Sequence, residues 1–104
     1  MLQYKKSANK GVLQPVMMLG LSRIETVFNS YGYAAVITST DDSFHKVGSL
    51  HYVGLAVDLR IKHIQLEVIE SLFDDVVKVL DSLSEHFQAI LETDHIHVEY
   101  DRRR

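Results

Sequence analysis

Residues 66–83 read LEVIESLFDDVVKVLDSL, a stretch whose apolar side chains recur with the period of an α-helix. The apolar positions that follow this period are Leu66, Ile69, Leu72, Phe73, Val76, Val77, Leu80 and Leu83. Each of them has another three or four residues away, which brings these side chains onto one face and leaves the charged ones facing solvent. The stretch therefore predicts a long amphipathic helix, and the rest of the fold must supply an apolar surface for it to cover.

Four short segments around this helix have the pattern of β-strands. Residues 33–38 are apolar and β-branched, residues 55–61 and 96–100 alternate between two faces, and residues 87–91 are mostly apolar. A second helix is expected over about residues 14–30, where apolar positions again follow helical spacing. The predicted order along the chain is therefore α-β-β-α-β-β.

This order of elements predicts one α+β domain over residues 1–104, with a mostly antiparallel sheet flanked by helices. A chain of 104 residues is long enough to bury one core and too short to build a second. Residues 1–11 are polar and show no periodicity, so we expect them to form an irregular arm.

Composition and charge narrow the range of partners. The formal net charge is −3, which gives no indication of a nucleic-acid partner. The chain has no cysteine, so any metal must be held by histidines and carboxylates. The apolar segment 16–21 is too short to cross a bilayer, and no secretory signal is recognisable. We therefore expect a monomer that is made in the cytoplasm without a signal peptide and does not insert into membranes.

Asp58 is the first residue that suggests chemistry. It lies between Val57 and Leu59 in an otherwise apolar strand, where a carboxylate needs an ionic partner or a metal. His51 precedes it at the end of a loop, and the small residue Gly54 lets the chain turn between the two. These positions favour a site shared by His51 and Asp58.

The second polar cluster lies near the C-terminus. His95 and His97 occupy alternate positions of a strand, so they project from the same face with Cα atoms about 7 Å apart. Glu99 falls on that face too, and Asp94 precedes the pair. Taken across the two clusters, two histidines and one aspartate with a position left for water are a catalytic zinc set rather than a closed structural one. The alternative interpretation is separate surface histidines and a capping aspartate.

These two clusters resemble known zinc enzymes. The first carries the pattern Ser49-x-His51-x-x-Gly54-x-Ala56-x-Asp58. It resembles the signature of the zinc D-Ala-D-Ala metallopeptidases. The second, His95-Ile96-His97, is similar to the His-x-His element of that family, of the lysostaphin-type endopeptidases and of the Hedgehog signalling domain. His45 and Glu92 add to the similarity with Hedgehog.

The resemblance implies a role for each residue that it covers. The implied zinc ligands are His51, Asp58 and His97. The implied general base is Asp94, or Glu92 if the Hedgehog-like alignment holds, and His95 becomes a donor to the transition state. The residues expected near the substrate are Ser49 and His45.

One departure from the family pattern bears on the reaction. Many D,D-carboxypeptidases carry an arginine for the substrate's terminal carboxylate where this chain has Ser39-Thr40-Asp41-Asp42. We therefore expect a zinc peptidase that cleaves the peptidoglycan stem or cross-link as an endopeptidase. It would be a phage-encoded endolysin-type enzyme that acts on the wall after release or as part of a virion. The alternatives are a zinc-binding but inactive binding or virion structural module, and a scaffolding protein without metal.

Overall fold

A computed structural model describes residues 2–4, 13–40 and 55–102. These residues form five strands and two helices. The strands are β1 (Leu2–Tyr4), β2 (Ala35–Ser39), β3 (Ala56–Arg60), β4 (Phe87–Leu91) and β5 (His95–Tyr100). The helices are α1 (Pro15–Ser30), between β1 and β2, and α2 (Leu66–Leu83), between β3 and β4.

The strands form one sheet in the order β1-β2-β3-β5-β4. β1 runs parallel to β2, and the other neighbours are antiparallel. Both helices contribute to a single core together with the inward-facing residues of the strands. The prediction of one small α+β domain with a mostly antiparallel sheet is thereby confirmed.

The core lies between the two helices and one face of the sheet. Its fully buried side chains include Phe28 of α1, Leu72 of α2, Leu59 of β3 and Val98 of β5. Alternate residues of a strand point to opposite faces, so the neighbours of Leu59 and Val98 project away from the helices. We call that second side, where it is formed by β3 and β5, the outer face. Neither described helix is both long enough and apolar enough to span a bilayer.

Local sequence explains how α1 begins, ends and packs. Pro15 occupies the first helical turn, where its missing N–H costs nothing. The helix ends before Gly32, whose φ of 85° lies in the left-handed region that favours glycine. Gly20 lets the helix approach the sheet closely, because a Cβ there would lie 2.9 Å from the ring of Phe87.

Several element boundaries differ from the sequence predictions. Leu2–Tyr4 is a strand, so the irregular arm predicted over residues 1–11 is wrong for these three residues, and residues 5–11 lie outside the described parts. β2 starts at Ala35 rather than at residue 33 and extends to Ser39, which the sequence placed in a loop. Pairing explains these differences, because β1 hydrogen-bonds to β2 and Ser39 pairs with Asp58.

Candidate site on the outer face of the sheet

The pairing of β3 with β5 decides which polar side chains meet. In this antiparallel register Asp58 lies opposite His97, and Arg60 lies opposite His95. Residues opposite each other in an antiparallel pair project from the same face and have neighbouring Cβ atoms. All four side chains therefore lie on the outer face, although Asp58 and His97 are 39 positions apart in the sequence.

Three of these side chains, together with those of Asp94 and Glu99, form a line of alternating carboxylates and imidazoles, which we call the acid–imidazole row. In order, its members are Asp94, His95, Asp58, His97 and Glu99. Along the row, the nearest nitrogen–oxygen distances are 2.7, 3.7, 2.8 and 2.9 Å. Three of the four contacts are hydrogen bonds, and the 3.7 Å approach of His95 Nε2 to Asp58 Oδ1 is an electrostatic contact.

His97 is held from both sides of its ring. Nδ1 lies 2.8 Å from Asp58 Oδ1, and Nε2 lies 2.9 Å from Glu99 Oε1. Two N–H donors exist together only on the protonated imidazole, so this arrangement favours the imidazolium. The hydrogen bond to Asp58 raises the pKa of His97, partial burial opposes the rise, and the hydrogen bond to Glu99 adds to it.

The other end of the row is more open to solvent. The Nδ1–H of His95 donates to Oδ1 of Asp94, whose side chain is 56% exposed. This hydrogen bond is the main reason that the pKa of Asp94 lies below its ordinary value, and the charges of His95 and Lys62 act in the same direction. The contact fixes the proton of a neutral His95 on Nδ1 and leaves Nε2, on the side of Asp58, as an acceptor.

Only some of the site residues predicted from the sequence lie among the residues that the structure describes. Asp58, His97, His95 and Asp94 come together in the row. The predicted ligand His51 and the predicted substrate residues His45 and Ser49 lie outside the described residues.

Glu92, the competing candidate for the base, is exposed in the turn between β4 and β5. Its backbone N–H donates to the carbonyl of His95 at 2.8 Å. Within the described residues its carboxylate has no hydrogen-bond or ion-pair partner, whereas Asp94 contacts His95. The geometry therefore couples Asp94, and not Glu92, to the row.

Glu99 is the member of the row for which neither the spacing nor the motif implied a role. The sequence did place it on the histidine face, two positions after His97. Its side chain is only 18% exposed and accepts a hydrogen bond from the ring nitrogen that does not face Asp58. The two-residue spacing between His97 and Glu99 could have identified Glu99 as a partner of His97, because residues i and i+2 of a strand are neighbours on one face.

Asp58 and His97 have suitable chemistry for zinc. Tetrahedral zinc with bonds of about 2.0–2.1 Å requires donor atoms about 3.3 Å apart, so these two atoms, which are 2.8 Å apart in a hydrogen bond, would separate by about 0.5 Å to bind an ion together. A carboxylate on the second ring nitrogen, as Glu99 provides, is the usual arrangement behind a zinc-bound histidine. The row is a line, and within the described residues no three of its potential ligands are arranged to hold one metal ion. A complete ligand set therefore needs a contribution from elsewhere, such as His51.

A pocket of about 340 Å³ opens beside the exposed end of the row. The described residues that line it are Thr38, Arg60, Lys62, Asp94 and His95. It shares Asp94 and His95 with the row, so a molecule held in this pocket contacts that end of the row directly. Its volume is within the range usual for small-ligand sites.

Comparisons with protein-family models, curated proteins and solved structures found no match to this chain. The similarity to the zinc D-Ala-D-Ala metallopeptidases therefore rests on the motif residues alone. The geometry adds the adjacency of Asp58 and His97 to that motif.

Proposed function

We propose that this protein is a zinc-dependent peptidase that hydrolyses a peptide bond in the peptidoglycan stem or cross-link as an endopeptidase. The observation that carries the proposal is the pairing of Asp58 with His97 across β3 and β5, 2.8 Å apart, with His95 and Asp94 beside them. These are four of the residues for which the sequence motif implies a role. Under this proposal the protein acts on the wall after release from a cell or as part of a virion.

The residues that would hold the metal are Asp58 and His97, together with His51. Bound zinc would polarise the scissile carbonyl and bring the pKa of its water to about 7. Glu99 fixes the orientation of the His97 ring through Nε2. Nδ1, which is hydrogen-bonded to Asp58, would give up its proton to become the metal-binding nitrogen.

Asp94 and His95 supply the proton transfers that peptide hydrolysis requires. Asp94 holds His95 through Nδ1, and Nε2 lies 3.7 Å from Asp58. The ring can then accept a proton at Nε2 from the attacking water and donate it to the leaving amine, or donate to the oxyanion when protonated. Asp94 either takes the proton itself or stabilises the charged imidazole.

Digestion of purified peptidoglycan tests the proposal. The zinc-loaded protein is expected to release fragments with new amino termini, which mass spectrometry identifies, and a chelator should stop their release. Endopeptidase action predicts cleavage within the stem or cross-link, whereas free D-Ala as the main product would show carboxypeptidase action. A protein that binds zinc and releases no fragments would be the inactive binding or virion module, and one without zinc would favour the scaffolding alternative.

A further inference from the structure

Among the described residues that line the pocket beside the row, positive charges outnumber negative ones. Arg60 and Lys62 line it together with one described carboxylate, Asp94, and that carboxylate already accepts a hydrogen bond from His95. Within the described residues neither Arg60 nor Lys62 forms an ion pair, so both cations are available to a ligand. A pocket of this kind favours an anion over a neutral molecule of the same shape.

Arg60 is placed to present its guanidinium to such an anion. Its backbone is fixed by the β3–β5 ladder opposite His95, and its side chain is exposed. Within the part of the chain that the structure describes, no ion pair joins Arg60 to a carboxylate. A guanidinium binds a planar carboxylate through two parallel hydrogen bonds, which a carboxamide cannot reproduce.

We infer that this pocket binds a carboxylate of the substrate, carried by a residue adjacent to the bond that is cleaved. The pocket shares His95 and Asp94 with the row, so a carboxylate held by Arg60 and Lys62 lies directly next to the reacting groups. The inference rests on the proposed function for the identity of the substrate. Binding of the carboxylate itself can be measured without turnover.

Three synthetic peptides of otherwise identical sequence test this inference. One carries a free side-chain carboxylate with an amidated C-terminus, the second a free terminal carboxylate with an amidated side chain, and the third is amidated at both places. Binding is followed by NMR titration of the zinc-loaded protein. At least one acidic peptide is expected to bind about tenfold more tightly than the doubly amidated one, the scale of a charge-assisted hydrogen bond. Which of the two does so identifies the source of the carboxylate.

The variant for this test is Arg60→Gln combined with Lys62→Gln. It should reduce the preference for the acidic peptide to about twofold or less, because the charge-assisted contacts are removed. The matched control, Arg23→Gln with Lys78→Gln, removes the same charge from exposed positions on the helices and should keep the preference.

Two results would overturn the inference. The first is equal or undetectable binding of the acidic and doubly amidated peptides by the unmodified protein. The second is a preference that survives in the Arg60→Gln, Lys62→Gln variant. Failure of the proposed function would look different. The protein would then cleave no peptidoglycan and still prefer the acidic peptide through Arg60 and Lys62, which would show a carboxylate-binding pocket without peptidase activity.

Discussion

His97 and Asp58 lie directly opposite each other on β5 and β3, with Nδ1 of His97 2.8 Å from Oδ1 of Asp58. The strand ladder holds both backbones in the register that brings the two side chains together. Their side chains are 20% and 17% exposed, respectively, so the pair is shielded from most of the solvent and still reachable from the outer face. The predictions on metal binding depend on this pair, because Asp58 and His97 are two of the three proposed zinc ligands.

The first prediction concerns Asp58. Asp58→Asn should abolish zinc binding, because an amide oxygen is a much poorer zinc ligand than a carboxylate. In the unmodified protein, free zinc at a hundred times its Kd adds about 2.7 kcal/mol to the free energy of unfolding. Elemental analysis and thermal unfolding with and without chelator measure both effects. The control Asp81→Asn, on the exposed side of α2, should still bind zinc, and an Asp58→Asn protein that also does so would contradict the assignment.

The second prediction separates a ligand from the residue that supports it. His97→Ala should eliminate zinc binding, whereas Glu99→Gln should weaken it by about 10–100-fold, the usual effect of losing a carboxylate behind a histidine ligand. Competition with a chromophoric chelator measures the two affinities. Glu85→Gln is the control, because that side chain is 88% exposed and outside the row. Unchanged affinity in Glu99→Gln would show that the contact with His97 is only structural.

The third prediction decides between the two candidate bases. Asp94→Asn should retain zinc and lower turnover by about a hundredfold or more, the usual scale for losing a general base or its orienting partner. Glu92→Gln should leave turnover nearly unchanged, because Glu92 is exposed and makes no contact with His95 through its side chain. A fully active Asp94→Asn beside an inactive Glu92→Gln would reverse the assignment in favour of the Hedgehog-like alignment.

The fourth prediction tests the fold independently of the metal. The Tyr31 hydroxyl donates a hydrogen bond of 2.6 Å to Asp75 of α2, and this bond is the main reason that the pKa of Tyr31 is raised above its ordinary value of about 10. A group whose pKa is higher in the folded than in the unfolded protein adds to the free energy of unfolding. The full contribution is present below the pKa of the unfolded state and is lost as the pH rises through the pKa of the folded state. The unmodified protein should therefore be more stable than Tyr31→Phe at pH 8.

That stability difference should shrink as the pH rises above about 10, where the tyrosine in the unfolded chain loses its proton. Urea unfolding of both proteins at several pH values gives the difference, and the comparison cancels the titration of groups that both share. A difference in the free energy of unfolding that stays constant across the alkaline range would show that the hydrogen bond from the Tyr31 hydroxyl to Asp75 does not stabilise the fold.

The elements with strong local periodicity could be predicted from the sequence. α2 covers Leu66–Leu83, the span of its apolar pattern, and β4 covers Phe87–Leu91 as expected. β1 could not be predicted, because Leu2–Tyr4 is only three residues long and exists as a strand through its parallel pairing with β2. Pairing between distant segments leaves no periodic signal in so short a stretch.

At the site, the residue types and the strand face of each side chain can be read from the sequence. Alternation puts His95, His97 and Glu99 on one side of β5, and the motif suggests that Asp58 belongs with them. The folded chain adds that β3 and β5 are neighbours, in a register that places Asp58 against His97 and Arg60 against His95. Alternation fixes the face of a side chain, whereas the partner strand and its register depend on how all the apolar faces pack into one core.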